Sequence, residues 1–227
     1  MNSDKNFTPL MIDLSGKKII IFGAGSVGER KALFFSAYAD TTIISTSFTS
    51  SIKELENSRK IKLITSNINS LNDSQIKDLI YDAFMVIPAT NNRQLNQRIT
   101  EVANKTDKNI LVNQVDDIGD VIVPSVIKRG DLTIGISTLG SSPAISKFTR
   151  ENIEQTITPE YSEMAEIQND IRTYLKEVIS DQRKRKQILW NIIEDDSVWS
   201  ALSDSYEKAY NIALNIVDEQ LRSEKID

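Results

Sequence analysis

Short apolar runs alternate with polar, helix-length stretches over the first half of the chain. The runs cover residues 18–22, 42–45, 61–64, 84–87 and 110–112, and they are apolar at nearly every position, as strands covered on both faces are. Between them, residues 27–39, 50–58, 74–81 and 92–104 carry helix-length patterns. This alternation predicts βαβ units and an α/β fold built on a doubly wound parallel sheet.

The pattern then changes. Residues 122–128 and 132–138 read as two strands around Arg129-Gly130-Asp131, which predicts a hairpin. Pro124 has no N–H to give a central ladder, so its strand begins there or pairs on one edge. Ser142-Pro143 reads as a helix start, with a hydroxyl at the N-cap and proline at the first helical position. That helix is expected to run to about residue 157, before Thr158-Pro159. Beyond residue 160 the apolar positions Met164, Ile167, Ile171, Leu175, Val178, Ile188, Ile192, Ala209, Ile212, Ile216 and Leu221 recur at helical spacing. Glycine is absent after Gly140 and proline after Pro159, so this part is predicted to be wholly helical. Three regions follow: 1–115, 116–158 and 159–227.

Composition narrows the chemistry. With 227 residues and 40% hydrophobic content the chain can bury a sizeable core in one or two domains. Its formal net charge of −5 argues against an unspecific nucleic-acid binder or a polybasic membrane binder. No apolar run approaches the roughly 18 to 20 residues that span a bilayer, and the N-terminus lacks a signal-peptide design. A cytoplasmic, non-membrane protein is expected. The chain has no Cys and no His, which removes thiolate nucleophiles, Ser–His couples and His-ligated or Cys-ligated metal sites. Carboxylates and a bound cofactor are left to do the chemistry, and no metal site is expected.

Gly23-Ala24-Gly25-Ser26-Val27-Gly28 follows the first apolar run directly and opens a predicted helix. In that context the three glycines serve a tight turn, close approach of a pyrophosphate and helix–sheet packing, the fingerprint of a Rossmann-type dinucleotide site. A ligand-free glycine turn is the alternative. Where a carboxylate usually grips the adenosine ribose, the chain has Ser45-Thr46-Ser47-Phe48, whose hydroxyl and backbone groups are the candidates for that role. No Arg stands beside them to read a 2′-phosphate, so NAD is expected rather than NADP. Ala89, Thr90 and Asn91 end the fourth run at the ligand-binding edge and are expected along the cofactor, although the same residues also make an ordinary turn at a helix start.

Several segments together resemble the precorrin-2 dehydrogenase family, found alone or fused in sirohaem synthases. They are Gly-Ala-Gly-Ser-Val-Gly-Glu-Arg-Lys at 23–31, Pro-Ala-Thr-Asn-Asn with Leu-Asn-Gln-Arg within 88–98, and Val-Asn-Gln-Val-Asp at 112–116. Pro-Ser-Val-Ile-Lys-Arg-Gly at 124–130 and Ile-Ser-Thr-Leu-Gly-Ser-Ser-Pro at 136–143 complete the set. The resemblance implies an NAD-binding Rossmann domain at 1–115, a hairpin-and-helix dimerisation region at 116–158 that makes a homodimer, and a helical C-terminal domain that helps enclose a tetrapyrrole. It also implies oxidation of precorrin-2 to sirohydrochlorin with NAD⁺, and in some members iron insertion at the same site. Asn113 would lie with the cofactor. The family's functional aspartate falls on Asp116, which would need partial desolvation to raise its pKa from about 3.9 if it acts as a base. On the residues alone, Asp116-Asp117 reads first as the cap of a turn. Two departures stand out: the loop from Asp116 to Pro124 is short, and Thr138 stands where many members carry Ser.

Precorrin-2 carries eight carboxylates, so the resemblance requires a local gathering of cations and donors. Lys128, Arg129, Thr138, Ser141, Ser142, Lys147 and Arg150 are the substrate-side candidates. Arg183-Lys184-Arg185-Lys186 reads first as a solvated helical face, with contact to substrate carboxylates as the alternative, and Trp190 and Trp199 read as helix-packing anchors rather than tetrapyrrole stacking partners. The competing functions are a dehydrogenase that also inserts ferrous iron and a non-catalytic, NAD-responsive binding module. The absence of His and Cys favours a dehydrogenase alone.

Overall fold

The computed structural model describes residues 6–115 and 117–223. The chain divides into two compact units after Val123. In the first, β1 (Lys18–Phe22), β2 (Asp40–Ser45), β3 (Ile61–Thr65), β4 (Met85–Pro88) and β5 (Leu111–Val112) form one parallel sheet in the order β3-β2-β1-β4-β5.

The near-continuous apolar runs are explained by the two covered faces. Alternate residues of β1 enter different cores. Ile19 and Ile21 pack with Ile43, Met85 and Ile87 beneath α1 (Ser26–Phe35) and α2 (Ser50–Asn57). Ile20 and Phe22 pack with Ile44 and Val86 beneath α3 (Asp73–Ile80) and α4 (Arg93–Thr106). Helix α1 stops four residues before the predicted end, because residues 36–38 turn and Ala39 N–H donates to Phe35 O at 3.0 Å.

The second unit opens with the hairpin of β6 (Ser125–Arg129) and β7 (Leu132–Ile136). Its first strand starts immediately after Pro124, which accommodates the missing N–H. Helix α5 (Pro143–Thr156) begins as expected: Ser142 Oγ accepts the Ile145 N–H at 3.3 Å, and proline holds the first helical position.

Four further helices follow: α6 (Glu160–Val178), α7 (Gln182–Glu194), α8 (Asp196–Leu202) and α9 (Tyr206–Ser223). Met164, Ile167, Ile171 and Leu175 of α6 pack with Ile188 and Ile192 of α7. On α9 the expected Ala209 is buried, but past it the seam shifts by one position. Its fully buried residues are Ala209, Ala213 and Val217, while Ile212 and Ile216 flank them half-buried. Val178 is exposed because Ile179, just past the helix end, takes the buried place. Among the described residues no helix is long and apolar enough to cross a membrane.

Candidate functional site

The glycine turn lies between β1 and α1, beside the point where the strand order reverses from β1 to β4. Each glycine meets a different constraint. Gly23 has φ +104°, and a Cβ there would lie 2.5 Å from Ala89 O. A Cβ on Gly28 would lie 2.0 Å from Gly23 O, so the helix can approach the turn only without one. At Gly25 a Cβ would meet nothing closer than Asn91 Oδ1 at 3.8 Å. The fold does not require glycine there, whereas a ligand seated on the turn would. Gly25 is also the N-cap of α1 and no side chain caps that helix end, which leaves the helix N-terminus open to an anion.

A cleft of about 450 Å³ opens over this turn. Gly23, Ala24 and Gly25 line it with Ser45, Thr46 and Ser47 from the end of β2, and with Ala89, Thr90 and Asn91 from the end of β4. No lining residue is charged. Ser26, Val27 and Gly28 form the first turn of α1 behind it, and Phe48 and Val27 pack into the core on the α1/α2 side.

Sequence reasoning missed two contributions. Ser66, Asn67 and Asn69, just past β3, complete the wall next to Ser45–Ser47, and the strand order is the signal that would have placed them. Asn96 is buried, and its Oδ1 accepts from Thr90 N–H at 3.0 Å and Thr90 Oγ1 at 2.6 Å while its Nδ2 donates to Thr90 O at 3.0 Å. It thereby fixes the β4–α4 turn against the cleft. Asn92 caps α4 through the Leu95 N–H at 3.1 Å, so this segment is both turn chemistry and cleft wall.

On the β5 side, a smaller cleft of about 310 Å³ is lined by Arg93, Gln97, Gln114, Val115 and Asp117, among others. Asp116 falls between two of these residues but itself lies outside the described residues. The loop that follows folds back on β5. Asp120 N–H donates to Val112 O at 2.8 Å, Asp120 Oδ2 accepts the Val112 N–H at 3.1 Å, and a Cβ on Gly119 would lie 2.1 Å from Val112 O. Asn113 is buried; its Nδ2 donates to Val121 O at 2.7 Å, and its Oδ1 has no hydrogen-bond partner among the described residues.

Residues 10–125 match the family described as "Putative NAD(P)-binding". The chain is 52% identical over 221 residues to a precorrin-2 dehydrogenase of Methanosarcina barkeri, covering 97% of this chain and 98% of that one. The chain belongs to the precorrin-2 dehydrogenase family. A second relative, the precorrin-2 dehydrogenase of Bacillus subtilis, is 34% identical over 67% of this chain and 90% of its own length. A solved structure described as "SirC, precorrin-2 dehydrogenase" superposes with a TM-score of 0.71 at 20% identity, over 93% of this chain and all of that one, and so shares the fold.

In this family member the substrate-side candidates all fall in the second unit. Arg129 Nε donates to Ile157 O and its Nη1 to Lys128 O, both at 3.0 Å, bracing the end of α5. Thr138 Oγ1 accepts the Ser142 N–H at 3.0 Å and lies 3.0 Å from Ser142 O and 3.2 Å from Ser146 Oγ. Its hydroxyl is thus engaged locally, and Ser141 N–H donates to Thr138 O. Lys147 pairs with Glu151 at 3.7 Å and Arg150 with Glu154 at 2.6 Å. Trp199 is a packing residue: its indole N–H donates to Ile193 O at 2.7 Å and its ring lies 4.8 Å from that of Tyr161. Trp190 is not, being 52% exposed.

One electrostatic feature of α1 has a measurable sign. Burial, aided by the neighbouring Arg30, pulls the Lys31 pKa from 10.5 down to about 8. The fold therefore disfavours the charged form. That penalty is complete below about pH 8 and fades as pH rises toward 10.5, because only the unfolded chain still holds the proton in that window. Lys31→Met is expected to raise the urea midpoint at neutral pH, with the advantage shrinking as pH climbs through the window. An advantage constant across it would contradict the assignment.

Proposed function

We propose that this protein oxidises precorrin-2 to sirohydrochlorin with NAD⁺, as a step of sirohaem biosynthesis. The observation that carries the reading is the open space over Gly25 at an uncapped helix N-terminus, within a chain that matches a precorrin-2 dehydrogenase over nearly its whole length. NAD⁺, when bound, supplies the acceptor for the hydride that precorrin-2 gives up. The chain's own groups do the rest. The N–H groups at the start of α1 and the glycine turn take the pyrophosphate. Ser45–Ser47 with Asn67 and Asn69 take the adenosine ribose, and Asn113 the nicotinamide side. Asp116 removes the proton that must leave the macrocycle along with the hydride. Lys128, Arg129, Lys147 and Arg150, with the hydroxyls of Thr138, Ser141 and Ser142, take substrate carboxylates.

The preference for NAD over NADP is supported by a cleft wall that offers no cation to a 2′-phosphate. Thr46 is exposed on that wall. Thr46→Arg is expected to shift the ratio of kcat/KM values toward NADP⁺ by roughly tenfold, and an unchanged ratio would place the ribose elsewhere. The reading itself is tested by anaerobic incubation of the protein with precorrin-2 and either dinucleotide, following sirohydrochlorin by absorbance. Conversion with NAD⁺ supports it; no conversion with either removes it.

A homodimer through the second unit is part of the same reading. Helix α5 buries only Ser146 among the described residues, while Ile145 and Phe148 are 55% and 62% exposed, and the strands of the hairpin pair only with each other. Phe148→Asp is expected to give a folded monomer by analytical ultracentrifugation, and a variant that stays dimeric would move the interface off α5.

A further inference from the structure

Strand β5 is last in the sheet order, and among the described residues no strand pairs with its outer edge. Its inner edge is in the ladder: Leu111 N–H donates to Phe84 O and Asn113 N–H to Val86 O, both at 3.0 Å. Between them the N–H of buried Val112 is left for the other side. A buried backbone donor without a partner there would cost about as much as a lost hydrogen bond.

A side chain fills the place that a sixth strand would take. Asp120 Oδ2 accepts the Val112 N–H at 3.1 Å, while Val112 O accepts from Asp120 N–H at 2.8 Å and from Val121 N–H at 3.4 Å. Asn113 Nδ2 closes the same junction by donating to Val121 O at 2.7 Å. Gly119 makes the close approach possible, since a Cβ there would lie 2.1 Å from Val112 O and 2.9 Å from Gln114 N. The chain therefore leaves β5 at Asn113 and is back against it at Gly119. Residues 114–118 form a short excursion pinned at both ends. Gln114, Val115 and Asp117 of this excursion line the cleft of about 310 Å³ together with Arg93 and Gln97, and Asp116 is its middle residue.

We propose that Asp120 is a positioning residue for the oxidation: its carboxylate, by holding the Val112 N–H, fixes the excursion that carries Asp116. The proposal rests on the dehydrogenase reading, with Asp116 as the base. Among the described residues Asp120 forms no salt bridge, so its carboxylate is committed to the backbone rather than to a surface ion pair. A base supplies its rate factor only where it is held close to the proton it takes. Gln114, Val115 and Asp117 carry no contact to β5 that could replace the clasp, whereas Asp120, Val121 and Asn113 each bond to it or across it.

The test compares variants of the full chain in anaerobic single turnovers of precorrin-2 with NAD⁺. Asp120→Ala is expected to lower the rate about 10- to 100-fold, the cost of a misplacement of about 1 Å, with NAD⁺ affinity held. Asp120→Asn keeps an oxygen for the Val112 N–H and is expected to restore most of the rate. In an Asp116→Asn background, Asp120→Ala is expected to cost nothing further, because a residue that acts through Asp116 has nothing left to position. A cap that only stabilised the strand edge would lower the rate by the same factor in both backgrounds. Amide exchange at Val112 reads the hydrogen bond without turnover, and is expected to be faster in Asp120→Ala and unchanged in Asp120→Asn. Losses that multiply with Asp116→Asn, or a Val112 amide that exchanges equally in all three proteins, would overturn the proposal. A wild type that does not oxidise precorrin-2 would remove the dehydrogenase reading and the positioning role with it; an active wild type with multiplying losses removes the positioning role alone.

Discussion

Gly25→Ala is expected to cost about 10- to 100-fold in NAD⁺ affinity while leaving the thermal midpoint of the ligand-free protein where it was. The added methyl group has room in the fold, since its nearest neighbour is Asn91 Oδ1 at 3.8 Å, but it occupies the space through which a pyrophosphate reaches the backbone. Gly28→Ala is the contrasting variant. Its Cβ would meet Gly23 O at 2.0 Å, so the turn or α1 must move, at a cost of about 1–3 kcal/mol of stability. Isothermal titration with NAD⁺, paired with thermal unfolding, separates the two. A Gly25→Ala protein that binds NAD⁺ normally would mean that the dinucleotide does not lie on this turn.

Asp116→Asn is expected to lower turnover of precorrin-2 by ~10²–10⁴, the usual worth of a positioned general base, with NAD⁺ affinity held. Oxidation removes a hydride and a proton together, and the chain has no His or Cys to accept the latter. The two residues flanking Asp116 line the cleft next to Arg93 and Gln114. Single-turnover kinetics under anaerobic conditions read the chemical step directly. If Asp116→Asn leaves that rate unchanged, the proton leaves by another route; if it abolishes NAD⁺ binding instead, the residue serves the cofactor.

The central strands were legible in the chain because parallel strands covered on both faces are apolar at successive positions, as residues 19–22, 43–44 and 85–87 are. The start of α5 was legible for a different reason: Ser142-Pro143 states its capping chemistry in two residues. What stayed hidden depends on which elements become neighbours. Ser66, Asn67 and Asn69 enter the cleft because β3 lies beside β2, a fact no local pattern contains. From the expected Ala209 the seam of α9 continues through Ala213 and Val217, because a small residue lets helices pack closely, whereas hydrophobicity alone points to the larger Ile212 and Ile216. Trp190 reads as a buried anchor by residue type, yet on α7 it stays exposed. The uncharged character of the cleft over the glycine turn was visible at residues 45–47, and the structure extends it to the β3 side.

The most direct measurement is the stoichiometry of dinucleotide reduction. Purified protein, precorrin-2 and NAD⁺ are mixed without oxygen, and NADH and sirohydrochlorin are quantified in the same sample. Equimolar appearance of the two, at a rate that falls with Gly25→Ala, is the predicted result. Sirohydrochlorin forming without NADH, or NADH absent while both ligands are bound, would contradict the account.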